Sequence, residues 1–205
     1  MVSSVSSGYG SEETRRRIID VALEMAAEIG PSLRLADVAS RAGVSRQAIY
    51  LHFGSRSGLL LALLPRMQER LGLEQLYQGV VEAPSGVEAL PLMVGFFGAL
   101  DRGLDEAGWV LEEAQYLDEA FGKDWRGRTA ALRGLVRDLM IRLSAEKVLR
   151  EVWDIEGATD LFSSLTSFGA WREFNRESAQ VSARWEETIT DLVKRALIEG
   201  VGADD

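Results

Sequence analysis

Cysteine is absent from this 205-residue chain, and histidine occurs once. The first absence excludes disulfides, thiolate nucleophiles and cysteine-bound zinc or iron–sulfur sites. The second leaves His52 without a spaced histidine or carboxylate set, so neither a metal site nor a nucleophile–base pair is written into the sequence. No cofactor is expected, and an enzyme is not the reading. Long apolar runs are also missing. The nearest, Leu90 to Leu100, is broken by Gly95 and Gly98 and falls short of the roughly 18–20 residues that a membrane-spanning helix needs. Residues 1–10 are rich in Ser and Gly and lack both the basic start and the apolar core of a signal peptide, which predicts a flexible tail on a cytoplasmic protein.

Positive charge is scarce as well: 23 Lys and Arg face 32 Asp and Glu, for a net charge of −9. Taken as an average, that argues against a nucleic-acid partner, because phosphate neutralisation drives most such binding. The deficit is uneven, however. Residues 11–60 carry seven Arg against six acids, and Leu33 to Leu60 carry Arg34, Arg41, Arg46 and Arg56 against Asp37 alone. The rest of the chain therefore holds the acidity, as expected of a short DNA-reading end attached to a body that repels DNA.

What is present is helical periodicity. Ile18, Ile19, Ala22, Leu23, Ala26 and Ile29 share one face of a first helix that stops at Gly30-Pro31. A second helix is predicted from Leu35 to Ala42, a third from Arg46 to Phe53 with Ser45 as its cap, and a fourth from Ser55 or Ser57 through Met67. Beyond Pro84, helices are predicted near 85–102, 106–119, 124–150, 157–175 and 178–199. No useful strand alternation appears, so the fold class is all-α. The division expected is a tail at 1–10, a helix-turn-helix DNA-binding domain at 11–58, and a helical body at 59–205, which the family resemblance given below makes a ligand-binding and dimerisation domain.

Two short helices joined by Ala42-Gly43-Val44-Ser45 have the spacing in which the first crosses the sugar-phosphate backbone and the second enters the major groove. Gly43 tolerates the positive φ of the turn, Val44 plugs the space between the helices, and Ser45 leaves the positive end of the third helix facing phosphate. Alone, this signal is weak. The stretch DVASRAGVSRQAIYLHFGSRSGLLLALL at 37–64 is more specific. It resembles the DNA-binding region of the TetR family in its AGVS turn, Tyr50, His52-Phe53, Ser55 with a basic neighbour, and the leucines that follow. With the upstream helix the close resemblance covers about 50 residues; beyond Leu64 it is general.

The resemblance implies a regulator, most simply a repressor, that binds a pseudo-palindromic double-stranded DNA operator as a homodimer and leaves it when a small apolar or aromatic effector binds. A protein of the same fold controlled by a protein partner, or by no ligand, is the alternative. Arg46 and Gln47 open the recognition helix, where Arg pairs with guanine and Gln with adenine. Ser45, Ala48, Tyr50 and His52 fall at positions that touch DNA in relatives, and Arg56 stands where lysine is usual. Arg34 replaces the threonine that commonly caps the second helix; either Arg34 meets phosphate by charge, or Ser32 takes over the capping.

The body offers aromatic and apolar candidates for an effector pocket: Met67, Phe96, Phe97, Leu100, Trp109, Tyr116, Leu132, Leu135 and Phe162. The same residue types build helical cores, and most of them are expected to do so. The last two helices resemble the family's dimerisation pair, which makes Leu161, Leu165, Phe168, Trp185, Ile189 and Leu192 the interface candidates.

Overall fold

The computed structural model describes residues 5–175 and 181–200. The described residues form ten α-helices: α1 Val5–Ile29, α2 Leu35–Arg41, α3 Arg46–Phe53, α4 Arg56–Arg70, α5 Leu73–Glu82, α6 Gly86–Leu117, α7 Glu119–Ala145, α8 Ile155–Leu165, α9 Phe168–Asn175 and α10 Val181–Leu197. The one β-feature among them is an isolated bridge between Leu149 and Ile198. Backbone contacts divide the chain into two compact units. One runs to Arg70 and takes in Gly103–Trp125; the other comprises Leu71–Arg102 and the chain from Arg126.

In the first unit, α1 packs against α2 and α4. Ile18, Ile19, Ala22, Leu23, Met25 and Ala26 of α1 are buried together with Leu35 and Val38 of α2 and Leu59, Leu60, Leu63, Leu64 and Met67 of α4. Polar clamps flank this core. Arg66 Nε and Arg70 Nη2 donate to Asp20 Oδ1 at 2.7 and 2.8 Å, and the Arg66 guanidinium holds the Asp20 carboxyl below the usual carboxylate range. Arg41 pairs with Glu28 and ties α2 to α1. Because α4 is fastened to α1 in this way, residues 59–70 belong with the N-terminal helices rather than with the C-terminal body to which the sequence assigned them. The start of α1 also corrects the expected tail, since Val5–Gly10 continues the helix. Ser and Gly cost at most about 1 kcal/mol each against alanine, and each added residue extends a helix that is already nucleated.

Beyond Arg70 the helices depart from the predicted boundaries at their polar breaks. α5 went unread because it buries only Leu73 and Val80, too few positions for a periodic signal. α6 runs unbroken past Gly103, where the sequence suggested a stop; a glycine in a long helix weakens it without ending it. α7 starts at Glu119 because Asp118 Oδ1 accepts the Phe121 N–H at 2.8 Å. It ends at Ala145, after which Lys147 takes φ 57. Residues 146–150 then turn back, and Arg150 N–H donates to Leu197 O at 2.8 Å. Asp154 caps α8 through the Gly157 N–H at 2.7 Å. Ser167 caps α9 through the Ala170 N–H at 3.2 Å, which splits the helix predicted across 157–175.

The core of the second unit joins Leu90, Met93, Val94, Phe96 and Phe97 of α6 to Val136, Met140 and Leu143 of α7, Phe162 of α8 and Trp185 and Val193 of α10. Glu146 closes the N-terminus of α6 by accepting the Gly86 N–H at 2.8 and 3.0 Å. A Cβ on Gly86 would sit 2.7 Å from Leu143 Cδ2, so a larger residue there would have to displace the Leu143 side chain.

Candidate nucleic-acid interface

The turn between α2 and α3 follows from two residues. Gly43 takes φ +66, a left-handed conformation that side chains resist. The next residue, Val44, returns its N–H to Ala39 O at 2.9 Å. Ser45 is extended, and its Oγ accepts the Ala48 N–H at 3.1 Å, satisfying one of the open donors at the start of α3. Ser45→Ala is expected to cost about 1 kcal/mol, read as a fall in the denaturant midpoint at unchanged slope; no change would show the cap to be energetically idle.

α3 has an inner and an outer side. Ile49 is completely buried, whereas Arg46, Gln47, Tyr50 and Leu51 are exposed, Tyr50 at 46% and Leu51 at 85%. Positions i, i+1, i+4 and i+5 share one face of a helix, so these four form a single outward surface. Ala48 and His52 are half-buried. The His52 ring lies 6.0 Å from the Phe53 ring, whose face also receives the Arg15 guanidinium at 5.2 Å. Gly54 ends the helix at φ +73, with its N–H on Tyr50 O at 2.8 Å.

Arginine separates into two groups. Arg16, Arg41, Arg66 and Arg70 are engaged by carboxylates of the same unit. Arg15, Arg17, Arg34, Arg46 and Arg56 have no carboxylate partner among the described residues; Arg15 lies over the Phe53 ring, Arg34 stands at the start of α2, Arg46 opens α3 and Arg56 follows it. Arg34 stands at the N-cap of α2 without a side-chain cap bond, and Ser32 lies in a 3-10 turn. Capping by Ser32 is therefore not realised.

Two residues escaped the sequence reading. Leu51 lies opposite Ile49 on the helical wheel, so its exposure could have been derived once α3 was accepted. Gly58 gave no signal at all. A Cβ there would lie 1.9 Å from the Phe53 carbonyl oxygen, so α4 can start against the end of α3 only because position 58 is glycine. Its N–H donates to Ser55 Oγ at 3.0 Å.

The expected effector set is scattered. Phe96, Phe97, Leu100 and Phe162 are buried in the second unit and Leu132 and Leu135 half-buried there. Phe97 meets Phe96 at 5.4 Å and Phe162 at 6.1 Å, edge to face. Met67 instead belongs to the α1–α4 core. Tyr116 is 79% exposed, so it faces solvent rather than a pocket. The side chain of Trp109 lies outside the described residues. A correction also applies to the interface set: Trp185 and Ile189 are enclosed by their own chain. They point inward because α10 needs its apolar stripe to close the core of this unit. Leu192 is exposed and Leu161, Leu165 and Phe168 are half-buried, with Phe168 stacked on Trp171 at 6.3 Å.

Among the described residues no cluster of three or more His, Cys, Asp or Glu could hold a metal, and no helix is long and apolar enough to cross a membrane.

Residues 18–63 match the model of bacterial regulatory proteins of the tetR family. The chain is 36% identical over 110 residues to an uncharacterised HTH-type transcriptional regulator, TtgW, of Pseudomonas putida, a match covering 49% of this chain and 82% of that one. It is 37% identical over 110 residues to the HTH-type transcriptional regulator SrpR of the same species, of which it spans 52%. Among solved structures, a proposed transcriptional regulator from Saccharomonospora viridis in complex with choline superposes with a TM-score of 0.77 at 18% identity, over 92% of this chain and 99% of that one. The TetR family regulator PfmR from Thermus thermophilus superposes at 0.70 with 20% identity, over 92% and 100%.

Proposed function

Because this chain belongs to the tetR family of bacterial regulatory proteins, with a helix-turn-helix domain and a helical body, we propose that it is a ligand-responsive repressor acting through α3. The observation that carries the reading is the outer face of that helix. Arg46, Gln47, Tyr50 and Leu51 stand on it with no packing role, while Ile49 seals the inner side. Arg46 and Gln47 read base edges in the major groove, and Leu51 offers apolar contact to a thymine methyl. Tyr50, Arg34 and Arg56 meet phosphate and fix the register. The cap at Ser45 keeps the N-terminal end of α3 free for an anion.

A recognition helix of eight residues reads few bases, so two copies on half-sites roughly 34–36 Å apart supply the affinity, and the operator is pseudo-palindromic. The exposed Leu192 and the half-buried Leu161, Leu165 and Phe168 are the residues left for pairing with a second copy. Effector binding is supported by the aromatic interior around Phe97 and Phe162 and by the choline held in a protein of similar fold. A coupling of about 1–3 kcal/mol between effector and DNA suffices to release the operator.

The test is binding of the purified protein to duplex from its own upstream region and to a random duplex pool, at roughly 50 and 200 mM salt. Saturable binding that weakens by an order of magnitude or more with salt is expected. Arg46→Ala and Tyr50→Ala should each weaken it by about tenfold, a loss within the roughly 1–3 kcal/mol of one good contact. Failure of the wild-type protein on both DNAs would overturn the reading.

A further inference from the structure

Several buried polar atoms of the second unit have no hydrogen-bond partner, among them Ser163 Oγ, Trp171 Nε1 and the side-chain amide of Asn175, but Asp101 is the one of this set that can carry a charge. Asp101 of α6 is 2% exposed, and its Oδ2 has no hydrogen-bond partner. Ionised carboxylates are not left bare in apolar surroundings without a reason, because the desolvation goes uncompensated. Arg102, next in sequence, turns away to Glu186 of α10 at 2.8 Å.

The neighbours of Asp101 can be placed from the helix geometry. Helical side chains lean toward the N-terminus and lie over the preceding turn. Asp101 therefore lies over Phe97 and Gly98. Phe97 meets the Phe162 ring of α8 at 6.1 Å, and a Cβ on Gly98 would come within 2.8 Å of Glu186 Oε1, which is paired with Arg102, and within 3.2 Å of Trp185 Cζ3 of α10. The helix position therefore sets the carboxylate on the side of α6 that faces α8 and α10, next to Phe97, whose neighbour is Phe162, and to Gly98, whose neighbours are Trp185 and the Arg102–Glu186 pair. Trp185 is fully buried, and its Nε1 is likewise without a partner. An enclosed carboxylate oxygen with no donor to meet it points to a further participant that brings a donor or a positive charge.

We propose that the effector of this protein is an organic cation, a protonated amine or quaternary ammonium, whose charge is held by Asp101 and whose apolar groups pack on Phe97, Phe162 and Trp185. A carboxylate supplies the counter-charge, and aromatic faces attract a cation through their negative quadrupole. A protonated amine adds a hydrogen bond to Oδ2; a quaternary ammonium uses charge and ring faces alone. This inference rests on the proposed effector role of the second unit and names the chemical class of the ligand. Burial, which pushes the Asp101 carboxyl up to about 8 against a smaller lowering by Arg102, agrees with a site completed only when a cation arrives.

The experiment compares two probes of the same shape, benzyltrimethylammonium and its uncharged isostere neopentylbenzene, by calorimetry and by tryptophan fluorescence. Wild-type protein should bind the cation about tenfold or more tightly than the isostere. Asp101→Asn should abolish most of that preference while its binding of neopentylbenzene persists. Equal affinity for the two probes in the wild type, no binding of either to millimolar concentration, or an undiminished preference in Asp101→Asn would each overturn the proposal. The wild-type comparison stands even if the variant folds poorly. DNA binding of the ligand-free wild type is measured in parallel, so failure of the regulator reading and failure of the cation site are separate results.

Discussion

Gly58→Ala is expected to be the most damaging single-methyl substitution in the DNA-binding helices, costing about 3 kcal/mol. The added Cβ would fall 1.9 Å from the Phe53 carbonyl oxygen. That atom is backbone, so no rotamer change can relieve the clash, and either α3 or α4 has to shift. The shift cannot stay local. Leu59 and Leu60, which follow directly, are buried in the core with α1, and Ile49 of α3 is buried as well. Displacing α3 moves Arg46, Gln47 and Tyr50 relative to whatever they contact, and misplacement by about an ångström is enough to lose bidentate hydrogen bonds. The variant should therefore lose both stability and DNA affinity. By contrast, Gly43 has nothing within 4 Å of its hypothetical Cβ, so Gly43→Ala should suffer only the cost of its positive φ, about 1 kcal/mol. Equilibrium denaturation of both variants checks the contrast; equal losses would show that the contact at Phe53 yields.

The comparison of these two glycines shows what a sequence reveals. Gly43 was legible because its turn type is announced by Ala42, Val44 and Ser45. Gly58 was not, because its constraint is a contact with a carbonyl five residues earlier that depends on the angle between two helices. The same distinction runs through the chain. α2 and α3 were placed almost to the residue, since caps and short periodic stretches are local. The end of α7 at Ala145 was missed, because Lys147 leaves the helix to let Arg150 pair with Leu197, a partner 47 residues away. The site divided in the same way. Arg46, Gln47 and Tyr50 stand together on an exposed face; the first two were expected at the open start of the helix, and Tyr50 was singled out by the family resemblance. Trp185 was read as interface material, because an amphipathic stripe does not say whether its own chain or a second copy covers it. Asp101 went unread, since an acid in an apolar helix is seen to be buried only once α8 and α10 are in place.

That buried acid leads to the other large effect, an increase in stability. Asp101→Asn is expected to stabilise the protein at neutral and alkaline pH, by an amount that grows as pH rises to about 8 and is constant above it. The carboxyl is pushed from an ordinary 3.8 up to about 8 by burial, against a smaller opposing effect of Arg102. Glu186 pairs with Arg102 and weakens that opposition. A carboxyl with a raised value keeps its proton in the folded state after the unfolded chain has released it. Below about pH 4 both states are protonated and the acid carries no penalty. As pH rises from there to about 8 the unfolded state is increasingly favoured, and above 8 the penalty is constant. About four pH units at roughly 1.4 kcal/mol each set a ceiling near 6 kcal/mol, which water entry and side-chain relaxation reduce to a few.

The amide of Asp101→Asn fills the same space without ionising, so the stability difference between variant and wild type should be nearly flat below pH 4 and widen steadily to pH 8. Urea denaturation at pH 4, 6 and 8 measures it. A difference that does not vary with pH would mean that Asp101 ionises freely in the native state and that its burial is not the constraint described. If the difference widens, the chain retains a residue that weakens its own ligand-free state where a neutral isostere would stabilise it. A cation beside Asp101 would stabilise the ionised form, and with it the conformation that encloses the ligand. The penalty thereby becomes a source of differential affinity between the two states, which is what an effector requires in order to shift an equilibrium.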